Sequence, residues 1–381
     1  MHVFQFQQTS TRVLGRFCVG TALLLGAFAV GICAQEAPKY RVDPFWPQEL
    51  PNKWIIGQIG GIAVDGENHI WVLQRPASNT VDELGAAQTP PRSECCFAAP
   101  PVLEFDQEGR LLRSWGGPGE RFDWPKSEHG IFVDKAGCVW IGGSGATDRH
   151  ILKFKKDGKF LLQIGHPSGD AADSSRTDIL GRPAGIEVDS ELHEVYVADG
   201  YMNKRVIVFD SETGAFKRMW GAYGNAPKDG DAGAYSAVAA PAQQFRNPVH
   251  CVHISRDGLV YVCDRSSDRM QVFTKQGKFV KEFMVRPETL GVGSVWQFAF
   301  STDVQQKFLL VADGEDNVIW TLRREDGAVV GRTGRNGRSA GQFHWVHQIA
   351  SDSEGNLYTG EVDTGKRIQK FVLVKEAAAQ K

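Results

Sequence analysis

Three histidines occupy one repeated position in this chain. Six similar segments each carry an apolar strand ending at Asp65, Asp134, Asp189, Ser255, Ser301 or Asp352. Five residues before that point stand, in turn, Gly60, His129, Ala184, His250, Trp296 and His347. The histidines fall in alternate segments, although the chain has only 10 among its 381 residues. On a six-fold ring, alternate members lie about 120° apart, so the three imidazoles would converge on the axis. Three imidazoles with an open fourth position make the donor set of a catalytic zinc ion. The competing reading is three unrelated buried histidines, each bonded to backbone.

The same register picks out three more side chains. Fifteen residues after the histidine position stand Arg75 in the first segment and Arg265 in the fourth, which face each other across a six-fold ring. The third segment is one residue longer, and its equivalent position is Gly200, followed by Tyr201. Guanidinium groups suit a carboxylate. The alternatives are surface ion pairs for the arginines and a loop aromatic for Tyr201.

The elements that must position these groups are short strands. Residues 60–73 read GGIAVDGENHIWVL and residues 129–142 read HGIFVDKAGCVWIG. Each segment repeats strand, turn, strand, loop, strand, Asp-Gly or similar turn, strand. This predicts an all-β fold, a six-bladed β-propeller of four-stranded blades. The sixth unit lacks a fourth strand, and the stretch from Trp54 to Gly60 is expected to supply it and close the ring. Closure removes the sheet edges that would otherwise invite aggregation. The units resemble NHL repeats, in which pairs such as Asp199/Arg205 and Asp264/Arg269 would be structural. First-strand starts and second-strand ends share one face of such a ring. That face also receives the long insertions at 76–101, 166–182 and 222–247, and long loops on one face usually carry function.

Composition narrows the classes. A net charge of −2, from 43 basic and 45 acidic residues, offers no basic surface for nucleic acid. Arg12 and Arg16 precede an apolar run from Phe17 to Ile32, closed by Cys33-Ala34. This pattern predicts a signal peptide over 1–34 and a secreted or periplasmic protein with no membrane attachment after cleavage. The run is shorter than the roughly 20 residues a spanning helix needs. The predicted organisation is an extension over 35–53, a propeller over 54–373 and a tail over 374–381. Outside the leader, Cys138, Cys251 and Cys263 read as buried packing residues and Cys95-Cys96 as a vicinal loop pair.

With these residues named, the chain resembles the peptidyl-α-hydroxyglycine α-amidating lyases, zinc propellers of the peptide-amidating enzymes. The matching pieces are Leu73-Gln74-Arg75-Pro76, His129-Gly130-Ile131, Ala198-Asp199-Gly200-Tyr201, Pro248-Val249-His250, Cys263-Asp264-Arg265 and Phe343-His344-Trp345-Val346-His347. The resemblance implies His129, His250 and His347 as zinc ligands and Tyr201 as catalytic base. It implies Arg75 and Arg265 for the substrate carboxylate and for Tyr201 activation. The implied reaction cleaves a carbinolamide C–N bond in a small carboxylate-bearing or peptide substrate, giving an amide and a glyoxylate-like product. The family's acidic calcium ligand after the last zinc histidine is Gln348 here, which puts calcium in doubt. Its methionine two residues before that histidine is Trp345, and its disulfide positions are Met202, Tyr261 and Val272. Two other readings stay open: a non-catalytic NHL propeller that binds a protein or glycan on its loop-rich face, and another metal-dependent propeller hydrolase or lyase.

Overall fold

A computed structural model describes residues 36–375. The predicted signal segment 1–34 and most of the C-terminal tail lie outside the described residues. No helix among the described residues is long and apolar enough to cross a membrane.

Six antiparallel four-stranded sheets form the blades. The innermost strands are Gln58–Val64, Glu128–Val133, Gly185–Asp189, Val249–Ile254, Gln297–Phe300 and Val346–Ser351. Two of these pair with second strands ending in site candidates, Ile70–Arg75 and, one residue short of Arg265, Leu259–Asp264. Alternation along the strands sends apolar side chains into the seams between neighbouring blades. Six apolar clusters fill the six seams. Trp71 and Trp140, both fully buried, anchor two of them. Their indole N–H groups donate to Asp65 and Asp134 at 3.0 Å, and Tyr358 Oη donates to Asp352 at the same distance. The Asp that ends the first strand thus also fixes the aromatic of the second strand.

The ring is closed by an N-terminal strand, but not by the expected one. Tyr40–Asp43 pairs with Ile368–Leu373 and completes the sixth blade. The stretch from Trp54 is split instead. Trp54–Ile55 pairs in parallel with Phe97–Ala98, and Gln58–Val64 is the innermost strand of blade 1. The closing strand therefore comes from the segment read as an extension. The apolar run at 54–60 was needed elsewhere: Ile59 is fully buried in the seam between blades 1 and 6.

A second correction concerns the cysteines. Cys251 and Cys263 lie opposite each other in blade 4 and form a disulfide, and Cys95 pairs with Cys96. Cys138 is the free cysteine among the described residues.

The recurrent Asp/Arg pairs hold the long loops. Arg205 Nε donates to Asp199 at 2.9 Å, and its other nitrogens donate to the carbonyls of Ser174 at 2.8 Å and Ile179 at 3.1 Å. Arg269 donates to Asp264 at 2.8 Å and to the carbonyl of Gln244 at 3.0 Å. All four charged side chains are buried. Removing one partner would leave an uncompensated buried charge. Asp199→Ala is therefore expected to cost about 3–5 kcal/mol in urea unfolding. A loss under about 1 kcal/mol would mean that the carbonyls alone hold Arg205.

Candidate metal centre and active site

Local irregularities in the innermost strands aim the histidines. The ladders of blades 4 and 6 skip one residue, between Val249 and Cys251 and between Val346 and Gln348. The residues left over are His250 and His347. In blade 2 the extra residue is Gly130, next to His129. A β-bulge breaks the two-residue alternation and redirects a side chain. Gly130 adopts φ +75°, and a Cβ there would stand 2.6 Å from the carbonyl oxygen of Ala184. That same oxygen takes the His129 ring.

Each imidazole is pinned by the blade that follows it. Nδ1–H of His129 donates to the Ala184 carbonyl at 2.8 Å, and that of His347 donates to the Ile59 carbonyl at 2.8 Å. The Nδ1–H of His250 donates to the Trp296 carbonyl. A carbonyl can only accept, so Nδ1 carries the proton and Nε2 presents its lone pair. The three Nε2 atoms converge: His347 Nε2 lies 3.1 Å from that of His129 and 3.3 Å from that of His250. Lone pairs so close, with no proton between them, repel unless a cation lies among them.

Burial disfavours the alternative of protonation. It holds His129 and His250 well below the ordinary histidine range, helped by the neighbouring imidazoles and by Arg265 respectively. His347 is pushed down to about 3 by burial, then by Arg75. The group could thus hold a metal ion. Neutral imidazoles suit borderline-soft transition metals and not calcium. Carbonyl bonds that fix the tautomer are a recurrent support of metal-binding histidines.

Tyr201 stands at this point. Its Oη lies 3.0 Å from His129 Nε2 and 3.1 Å from His250 Nε2. Gly200 allows the approach, since a Cβ there would come within 2.0 Å of the Val249 backbone. Arg75 donates from Nε to the Glu128 carbonyl and from Nη1 to Gln58 Oε1, each at 2.9 Å. Arg265 donates from Nε to the Val292 carbonyl at 3.0 Å and stacks 4.5 Å from the Trp296 ring centroid. Its guanidinium carbon lies 5.9 Å from the Tyr201 ring centroid. Burial pulls the guanidinium pKa of both arginines down, and Tyr201 acts against it in both. The structure brings all six sequence-predicted residues to one end of the channel.

Two further residues stand at the mouth: Arg182 escaped the sequence reading, and Trp345 entered it only as the residue in place of the family's methionine. Arg182 sets its guanidinium carbon 5.7 Å from the Tyr201 ring centroid, and Trp345 packs 5.7 Å from Trp296. Both stand two residues before the histidine position of their blades, and both adopt positive φ, +62° and +59°. Extending the register by two positions would have found them. Past the histidines the channel widens into a cavity of about 310 Å³, lined in part by His253, Gln297 and Gln348. Gln348 offers no carboxylate there, and its Oε1 accepts from Gln297 at 3.3 Å.

No protein-family model matches the chain. It is 27% identical over 334 residues to peptidyl-glycine alpha-amidating monooxygenase B of Xenopus laevis, covering 80% of this chain and 33% of that protein. It is 27% identical over 269 residues to NHL repeat-containing protein 3 of Mus musculus, covering 68% and 63%. It is 23% identical over 222 residues to a probable peptidyl-alpha-hydroxyglycine alpha-amidating lyase of Caenorhabditis elegans, covering 58% and 56%. The match thus spans about a third of the amidating monooxygenase. Virginiamycin B lyase from Staphylococcus aureus has a similar fold, with TM-score 0.52 at 13% identity, covering 88% of this chain and all of that one. The chain is a six-bladed β-propeller whose relatives include a peptidylglycine alpha-amidating monooxygenase, NHL repeat-containing protein 3 and a peptidyl-alpha-hydroxyglycine amidating lyase.

Proposed function

We propose that this chain is a zinc-dependent lyase acting on a carbinolamide that carries a carboxylate. The observation that carries this reading is the convergence of three neutral Nε2 atoms with the Tyr201 hydroxyl, 3.0 and 3.1 Å from two of them. His129, His250 and His347 would hold the ion. A zinc ion on three imidazoles supplies Lewis-acid polarisation of a substrate oxygen.

The chain's own residues perform the rest. Arg75 and Arg265, on opposite blades, clamp the carboxylate and orient the adjacent carbon. Tyr201, entering the step as the phenolate, takes the proton of the substrate hydroxyl on Oη. The C–O bond becomes a carbonyl, the C–N bond breaks, and its electron pair goes to nitrogen. The proton held on Tyr201 is returned to that nitrogen. An amide and a glyoxylate-type product result, with no net change in protons or electrons. The Trp296 and Trp345 rings limit access of water from blades 5 and 6.

Metal analysis coupled to glyoxylate release from an α-hydroxyglycine peptide tests the reading. The expected result is about one zinc per chain, with glyoxylate release that stops on chelation and returns with zinc. Zinc without glyoxylate would keep the metal centre and discard the substrate. A purified protein that takes up no zinc would discard both.

A further inference from the structure

Arg182 and Arg265 face the Tyr201 ring and Arg75 stands close enough to interact with Tyr201, yet none of the three has a carboxylate within ion-pair distance among the described residues. The contrast with Arg205 and Arg269, buried against aspartates, is direct. Arg75 donates from Nε and Nη1, and Arg265 from Nε to the Val292 carbonyl. Arg182 likewise donates from Nε, to the Ser144 carbonyl at 2.7 Å. Its Nη groups have no hydrogen-bond partner among the described residues. Its backbone is left-handed, at φ +62°, and its carbonyl accepts from Tyr201 N–H at 3.2 Å. A non-glycine residue in that region is strained and persists where the surroundings impose it. Here the surroundings send a half-buried guanidinium over Tyr201 from blade 3.

Charge accounting then singles it out. The reaction proposed above brings one carboxylate, and the forks of Arg75 and Arg265 can hold it between blades 1 and 4. A third guanidinium on that anion would be left without a counter-charge in a partly desolvated site. The two Nη groups of Arg182, without a hydrogen-bond partner among the described residues, remain for a second anion.

We infer that Arg182 forms a subsite for a second anionic group, so that the preferred substrate is a dicarboxylate whose acyl arm ends in a carboxylate near blade 3. This inference rests on the lyase reading for its first carboxylate. The carboxylate of the arm pairs with Arg182, while the carboxylate beside the scissile C–N bond remains with Arg75 and Arg265.

Two substrates of equal length separate the possibilities: N-succinyl-α-hydroxyglycine and N-butyryl-α-hydroxyglycine. They differ in one terminal carboxylate. For the zinc-loaded protein, kcat/KM is expected to favour the succinyl compound by on the order of tenfold or more. In Arg182→Gln the ratio should fall toward one, and Arg182→Lys should restore part of it. A wild-type ratio near one overturns the subsite. So does an Arg182→Gln variant that slows both substrates by the same factor, which would make Arg182 a support for Tyr201 alone. If neither compound is cleaved, the lyase reading fails separately. Calorimetric binding of pimelate, whose carboxylates stand as many chain atoms apart as those of the succinyl substrate, against heptanoate then decides the subsite. A tenfold preference for pimelate that Arg182→Gln abolishes supports it, and equal binding overturns it.

Discussion

His250→Ala is expected to strip the metal from the protein and to lower glyoxylate release by on the order of 10³-fold, the several kcal/mol that Lewis-acid polarisation supplies. His250 is fully buried, its Nδ1–H is committed to the Trp296 carbonyl, and its Nε2 is one of three lone pairs around one point. Alanine leaves two imidazoles, too few for the tetrahedral arrangement that retains zinc through purification. His253→Ala is the control. His253 lies three residues along the same strand, where it contacts Glu187 at 3.0 Å and Gln297 at 2.7 Å in the channel beyond the metal centre. That variant should keep its zinc. Metal content and glyoxylate release on both proteins decide the matter. A His250→Ala protein with stoichiometric zinc would sink the metal centre, and loss of zinc in both would point to a general disruption of the channel.

Tyr201→Phe should retain zinc and lose kcat by about 10²–10⁴-fold, the usual range for a positioned acid–base group. Phenylalanine keeps the ring that Arg182 and Arg265 face and the packing that Gly200 permits. Only Oη is removed, so the change isolates proton transfer from architecture. KM should move little, because the proposed carboxylate clamp belongs to Arg75 and Arg265. A variant within about threefold of the parent kcat would exclude Tyr201 as the base, since general acid–base groups contribute far more. A rise in KM at constant kcat would instead make it a binding residue.

The repeat was legible because strand periodicity and turn residues are local. Asp65, Asp134 and Asp352 mark first-strand ends, and their bonds to Trp71, Trp140 and Tyr358 explain why that spacing recurs. The register that aligned His129, His250 and His347 followed from it. The closing strand was not legible. Tyr-Arg-Val-Asp at 40–43 is four residues with weak alternation, whereas Trp54 to Gly60 is a stronger apolar run. Which of them pairs with Ile368–Leu373 depends on the ladder that blade 6 offers, far away in sequence.

Blade 4 shows how far one residue can move such a judgement. A straight ladder continued from Val249–Asp264 would set His250 against Cys263 and Cys251 against Val262. The skipped residue instead puts Cys251 opposite Cys263, where they pair, and turns His250 to the axis. Sequence spacing reports positions along a strand but not a bulge in its partner.

The amino-acid sequence alone determined the blade count and the six candidate residues that gather at one end of the ring. Each follows from nearest-neighbour patterning repeated six times. Only the tertiary structure decided where those side chains point. The carbonyls of Ala184, Trp296 and Ile59, each on the following blade, fix the tautomer of each of the three imidazoles. Arg182 reaches the same ring through a left-handed backbone that its bond from Tyr201 N–H helps to hold. Direction is set by hydrogen bonds and close packing between blades, and those contacts exist only once the ring has closed.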